Sequence, residues 1–234
     1  MSGAGRVIDW TPAAPPPPRA LDGRHVRLEP FAESHRRGLY ASLHDGGDPT
    51  LWDFLPYGPF DEPGWDAWFT ARAASADPLF YALVDRASAT PLGQASYLRI
   101  EPADGVIEIG HIALGPALQR TVAATEAIHL LARHAFDDLG YRRLEWKCNA
   151  LNERSRRAAE RLGFTFEGVF RQHMVVKGRN RDTAWYSIVD GEWPGVRAAF
   201  EAWLTPENFD PAGRQRRALA EIRRSPQDSM PSSR

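Results

Sequence analysis

One glutamate, Glu108, sits inside the apolar run Val106-Ile107-Glu108-Ile109-Gly110. A carboxylate flanked by isoleucines suits one of two tasks: taking a proton from a bound substrate, or forming half of a structural ion pair. Strand alternation puts Glu108, Gly110 and Ile112 on one face and Ile107, Ile109 and His111 on the other. His111 is therefore expected to pack or meet solvent away from the carboxylate. A few residues on, Gly115-Pro116-Ala117-Leu118 leads into Gln119-Arg120-Thr121-Val122-Ala123-Ala124-Thr125, where a helix begins. The first turn of a helix carries unpaired N–H groups and partial positive charge, and it binds phosphate where side chains are small. Thr121, Ala123, Ala124 and Thr125 are small enough, although an ordinary loop-to-helix entry reads the same way.

Asn152 and Ser155 open a second helix that ends at Leu162-Gly163-Phe164. Both suit capping of the helix start, and the Ser155 hydroxyl is also a free donor. Arg154, Arg156, Arg157 and Arg161 crowd this helix, as a solvated face or as phosphate contacts. Cys148 has no activating neighbour in sequence and is not read as a nucleophile. The cluster Trp52, Phe54, Tyr57, Trp65 and Trp68 fits either stacking on a flat ligand or packing a lid.

The elements that must hold these residues follow from periodicity. His25–Glu29 alternates as a strand, Ala32–Leu43 and Asp61–Ser75 read as helices, and Leu79–Asp85, Leu92–Glu101 and Val106–Ala113 form an antiparallel meander. Val122–Leu139 is an amphipathic helix closed by Gly140. Arg143–Cys148 is a strand and Asn152–Leu162 a helix. Phe164–Lys177 and Arg181–Val189 make a hairpin across Gly178-Arg179-Asn180, and a helix follows Trp193-Pro194. The order predicts an α/β (α+β) fold with a mixed, mostly antiparallel sheet flanked by helices. Residues 1–20, with Pro15 to Pro18, read as a stiff strap. Residues 21–205 form the domain, and 206–234 a polar tail with a short helix within Arg214–Arg224 and a disordered end.

The 234 residues carry a formal net charge of −1, so no global field favours nucleic acid or an anionic membrane. A single cysteine excludes an intrachain disulfide framework and a Cys-rich zinc site. No stretch approaches the roughly 20 apolar residues of a spanning helix. The N-terminus has no signal-peptide run, and a cytoplasmic location is expected.

The segment Asn149–Phe164 resembles the GNAT superfamily of N-acetyltransferases, in which an Asn opens the helix after the family's fifth strand and the helix ends in Leu-Gly-Phe. Residues 168–193 resemble the C-terminal hairpin of the branch that includes ribosomal-protein N-terminal acetyltransferases and the microcin C self-immunity acetyltransferase. The likeness runs from about residue 22 to 195. It implies acetyl-CoA as cosubstrate, without a metal. The pantetheine would lie along Ile112, Ala113 and Leu114 in a gap between splayed strands. The pyrophosphate would sit on amides of Gln119, Arg120, Thr121, Val122, Ala123, Ala124 and Thr125. The family's loop has a glycine where this chain has Val122, which fits if that side chain points away from the phosphates. The resemblance further implies Glu108 as base, directly or through water. Ser155 becomes the acid, because Ala159 stands where many members have a Tyr, and Asn152 bonds the pantetheine. Trp52, Trp65, Trp68, Trp146 and His173 are implied candidates for the acceptor pocket. The acceptor is a small-molecule primary amine or, alternatively, a peptide or protein N-terminus, and a homodimer is compatible. A catalytically weak acetyl-CoA-binding module, suggested by Val122 and Ala159, is the alternative of another class.

Overall fold

The structure, a computed structural model, describes residues 8–45 and 49–224. Its strands form one sheet of order β1-β2-β3-β4-β5-β6-β8-β7. They are β1 Leu21–Asp22, β2 Val26–Pro30, β3 Leu79–Asp85, β4 Pro91–Glu101, β5 Val106–Leu114, β6 Arg143–Asn149, β7 Thr165–Val176 and β8 Arg179–Val189. Every neighbouring pair is antiparallel except β5 and β6, which run parallel. A parallel pair needs a crossover, and α3 (Val122–Arg133) supplies it. The other helices are α1 Arg36–His44, α2 Glu62–Ala73, α4 Glu153–Leu162, α5 Trp193–Trp203 and α6 Leu219–Arg224. The mixed, mostly antiparallel architecture expected from the sequence is what the chain adopts.

Each face of the sheet buries its own core. Tyr81, Leu83, Tyr97, Ile107, Ile109 and Leu144 pack under α3 and α5. On the opposite face Phe80, Ala82 and Ala113 pack with Leu39 and Leu43 of α1, and with Trp65 and Phe69 of α2. Helix starts follow residue type. Asp61 Oδ1 accepts from Gly64 N at 2.9 Å, Thr121 Oγ1 from Ala124 N at 3.2 Å, and Asn152 Oδ1 from Ser155 N at 3.0 Å. Gly163 closes α4 at φ +103.

Four boundaries differ from the sequence reading. A two-residue β1 precedes β2. The first helix begins with a tight turn, Glu33–His35, before α1. The long helix after the loop ends α-helical geometry at Arg133 and widens into a π turn over His134–Asp138. There the Tyr97 hydroxyl takes the Leu131 carbonyl at 2.5 Å, and a side chain bonded into the ladder is a recognised cause of such bulges. The hairpin turns on Lys177-Gly178 alone, because both residues take positive φ, +49 and +72, which permits the tightest connection.

The N-terminal segment lies along the domain. Ala13 N donates to Pro102 O at 3.0 Å, Ala14 N to Leu139 O at 2.9 Å and Trp10 Nε1 to Ala103 O at 2.7 Å. At the other end Leu219 is buried, and Arg223 donates to the carbonyls of Glu160 and Arg161. The disordered end expected for the tail lies outside the described residues.

Candidate functional site

Strands β5 and β6 are in register only at Val106 with Arg143, Ile107 with Leu144 and Glu108 with Glu145. Beyond these pairs they part, and Glu108 stands at the fork. On its other edge β5 carries a bulge. Gly110 pairs with Ser96 and Ala113 with Gln94, so His111 and Ile112 together oppose Ala95 alone. His111 takes φ +51 within it. An inserted residue reverses the alternation. Ile112 packs toward the α3 core, whereas the His111 ring packs tilted against Phe80, centres 5.1 Å apart, and stacks on Tyr57 at 5.4 Å on the opposite face. His111 therefore lies on the face that carries Glu108, and Ile112 does not. Both are corrections to the alternation count, and the bulge is their cause.

Glu108 is 3% exposed. It accepts from Arg99 at 2.5 Å, and the Lys147 ammonium stands 3.1 Å away. Lys147 bridges at the same time to Glu145 at 2.6 Å and lies 3.8 Å over the centre of the Trp185 ring. Glu145 in turn receives Arg143 at 2.9 Å, and Arg143 continues to Glu167. Burial raises the Glu108 pKa above the ordinary carboxylate range, against the opposing pull of Lys147 and Arg99.

Three groups are chained beside this cluster. Gln94 Nε2 donates to the Tyr57 oxygen at 3.1 Å, and the Tyr57 hydroxyl is hydrogen-bonded to His111 Nδ1 at 3.1 Å. Burial first, then Arg72, Arg99 and Arg181, push the His111 pKa down to about 4.

On the other side of the fork, Trp146 Nε1 donates to Ser155 Oγ at 2.9 Å. Indole nitrogen is a donor only, so the serine accepts there and its own proton faces the Cys148 thiol, a weak acceptor. Trp146 is 6% exposed and packs on Phe164 with ring centres 5.5 Å apart. It supports Ser155 from the core, where the sequence reading set it among acceptor-pocket candidates. Cys148 is buried nearby, and burial raises its thiol pKa, contrary to what a nucleophile needs.

In the loop before α3, Gln119 Nε2 holds the Leu114 carbonyl at 2.9 Å and Arg120 takes φ +60. Thr121 caps Ala124 N, while the amides of Val122 and Ala123 belong to the first turn and have no intrahelical acceptor. The Val122 side chain packs against the α3 core. Residues able to receive phosphate oxygens are thus present, and the Val122 side chain is engaged elsewhere.

The aromatic candidates separate. Trp65 is 1% exposed with Nε1 bonded to Arg36 O, and Trp52 is 3% exposed. Both are packing residues of the second core, not walls of an open pocket. Trp68 is only partly buried, and its ring centre lies 4.7 Å from that of Tyr57. His173 Nδ1 pairs with Thr183 Oγ1 at 2.9 Å on the hairpin. The tip of that hairpin reaches across, and Lys177 Nζ donates to Trp52 O at 2.7 Å. Sequence reasoning missed Arg99, Lys147, Glu145 and Arg181, and it named Tyr57 only as one of an aromatic cluster. Among the described residues no group of three or more His, Cys, Asp or Glu side chains could hold a metal ion, and no helix is long and apolar enough to cross a membrane.

Comparison with known proteins adds the following. The model of the acetyltransferase (GNAT) domain family matches residues 25–165. A GCN5-related N-acetyltransferase from Brucella melitensis is 49% identical, with a TM-score of 0.90 over 92% of this chain and 98% of that one. The putative ribosomal N-acetyltransferase YdaF of Bacillus subtilis is 37% identical over 73 residues, which is 31% of this chain and 40% of that protein. The microcin C7 self-immunity acetyltransferase MccE, solved with acetyl-CoA and AMP, shares the fold at a TM-score of 0.61 over 71% of this chain and 93% of that one, with 22% identity.

Proposed function

The chain belongs to the GNAT acetyltransferase family, and on that premise we propose that it moves an acetyl group from acetyl-CoA to the primary amine of a small molecule by direct attack. The observation that carries this reading is the fork between β5 and β6, with a buried carboxylate on one side and, on the other, a serine whose proton is held by nothing stronger than the Cys148 thiol. An alkylamine reaches the site protonated at neutral pH. Glu108, directly or through one water, takes that proton, and its raised pKa suits the task. The neutral amine attacks the thioester carbon, a C–N bond forms and the C–S bond breaks. Ser155 Oγ–H donates a hydrogen bond to the departing thiolate. His111 is neutral and its Nδ1 is occupied, so it orders the pocket and takes no part as base.

For acetyl-CoA, the free edge of β5 at Ile112, Ala113 and Leu114 suits the pantetheine amides. Asn152 spends Oδ1 on its cap and keeps Nδ2 to donate to a pantetheine carbonyl. Amides from Gln119 through Thr125 suit the pyrophosphate. We place the protein in the cytoplasm, without nucleic-acid or membrane partners, and β7 at the sheet edge leaves room for a homodimer.

Steady-state release of CoA with a panel of amines tests the reading. The panel includes a short peptide with a free α-amine, because the name of the Bacillus relative points to a protein acceptor. At least one amine should raise turnover well above water, and Glu108→Gln should cut it by about 10²- to 10⁴-fold. Tight acetyl-CoA binding with no stimulation by any amine would leave a binding module instead.

A further inference from the structure

Arg181 lies on β8 two residues before Thr183 and four before Trp185, so these side chains leave the sheet on one face. That face carries Lys147 over the Trp185 ring and Glu108 beside Lys147. Arg181 Nε is buried without a hydrogen-bond partner. The acid that acts on Arg181 is Glu108, already held by Arg99 and Lys147. Arg72, near the end of α2, also has a buried Nε without a partner. Both guanidiniums act electrostatically on His111, and Arg181 acts on Cys148 as well. Two cations, each with an unmet Nε donor, therefore act on the acceptor face.

A buried N–H donor left unmet is costly unless something pairs with it. The site also has to admit an amine that arrives as a cation, and surplus positive charge repels a simple ammonium ion. An amine that carries its own anion is attracted instead. The phosphates of acetyl-CoA do not fill this role, because the loop suited to them precedes α3, whereas Arg181 stands near Cys148, next to Ser155. We propose that Arg181 recognises a carboxylate or phosphate on the acceptor, so that the substrate class is an amine bearing an anionic group. This rests on the amine-acetylation reading above. Guanidinium suits both anions, because its planar fork donates two parallel hydrogen bonds to either.

Matched amines that differ only in the anion test the proposal. L-phenylalanine against L-phenylalaninamide probes a carboxylate, and O-phosphotyramine against tyramine probes a phosphate. In the wild type, kcat/KM for the anionic member of at least one pair should exceed that of its neutral twin by about 10- to 100-fold. The pair that shows this identifies the anion. In Arg181→Gln the ratio should collapse toward one, and Arg181→Lys, which keeps charge but loses the fork, should retain part of it. Neutral twins that match or beat the anionic members in both pairs would overturn the proposal. So would a preference that survives in Arg181→Gln. If Arg181→Gln fails to fold, as judged by its melting curve with CoA, Arg181→Lys alone carries the comparison.

A second readout needs no turnover. The melting temperature of the CoA-loaded wild type should rise with L-phenylalanine or O-phosphotyramine, and the rise should vanish in Arg181→Gln. Such binding without turnover of any amine would sink the transferase reading and keep the Arg181 site. Turnover of neutral amines with no anion-dependent shift would do the reverse.

Discussion

Replacing Lys147 by Met removes one ammonium and almost no volume. Its Nζ stands 3.1 Å from Glu108 and 2.6 Å from Glu145, and the side chain is 5% exposed. Two effects follow. Breaking a buried ion pair from one side costs about 3–5 kcal/mol of stability, because the partner charge stays buried and unpaired. The second effect falls on the proposed base. A unit charge at 3.1 Å is worth about 1.3 kcal/mol in bulk water and about 5 kcal/mol at an effective dielectric of 20. Even the smaller figure is about a factor of ten in the ionised fraction of Glu108. Lys147 opposes the upward shift that burial imposes, so its loss raises the Glu108 pKa further, and the neighbouring Glu145 pushes the same way. The rate of a base-dependent step is lost as pH falls through the pKa of the base. The acid limb of kcat/KM should therefore move to higher pH, with the rate on that limb at least about tenfold below wild type. The assay is CoA release from pH 5 to 9 with saturating acetyl-CoA. Lys147→Arg should restore most of the limb. The pair Glu145→Gln with Lys147→Met should recover part of the stability, because it also removes a stranded carboxylate. An acid limb in Lys147→Met that overlies the wild type would show that Lys147 does not tune Glu108, and that the cluster is structural alone.

Two further outcomes follow from the same side chains. Ser155→Ala removes the proposed donor to the thiolate and should lower kcat by about 10²- to 10³-fold with little change in acetyl-CoA affinity, checked by steady-state kinetics and by titration. Trp146→Phe should cost much less, since it loosens the serine without removing it. His129, buried against Phe200, has its pKa pushed down to about 4, chiefly by burial. Its folded pKa is depressed, so its contribution is fully present above the unfolded value near 6.5 and is lost as pH falls toward 4. The full depression corresponds to about 3 kcal/mol. Urea unfolding at pH 7 and pH 4.5 should show much of that loss, and a variant with Leu at position 129 should show less of it.

What could be read from the chain alone depended on how local each signal is. Thr121, Asn152 and Gly163 are caps, set by residue type within a few positions, and all three perform as their types suggest. His111 defeated the reading because alternation counts residues and cannot see a bulge, which β5 acquires only by pairing with β4. The charge cluster was hidden for a related reason. Arg99, Glu108, Lys147 and Trp185 lie on β4, β5, β6 and β8, and they meet only through a sheet order that departs from chain order. A sequence signal for it did exist. In Arg143-Leu144-Glu145-Trp146-Lys147-Cys148 one face is apolar and the other fully charged. On an edge strand that pattern means solvent. On a strand with neighbours on both sides and helices over the sheet, as the crossover before β6 requires, it means a polar cleft whose charges must satisfy one another. By the same logic a buried donor in that cleft left unmet, as Arg181 Nε is, points outward to what the cleft receives.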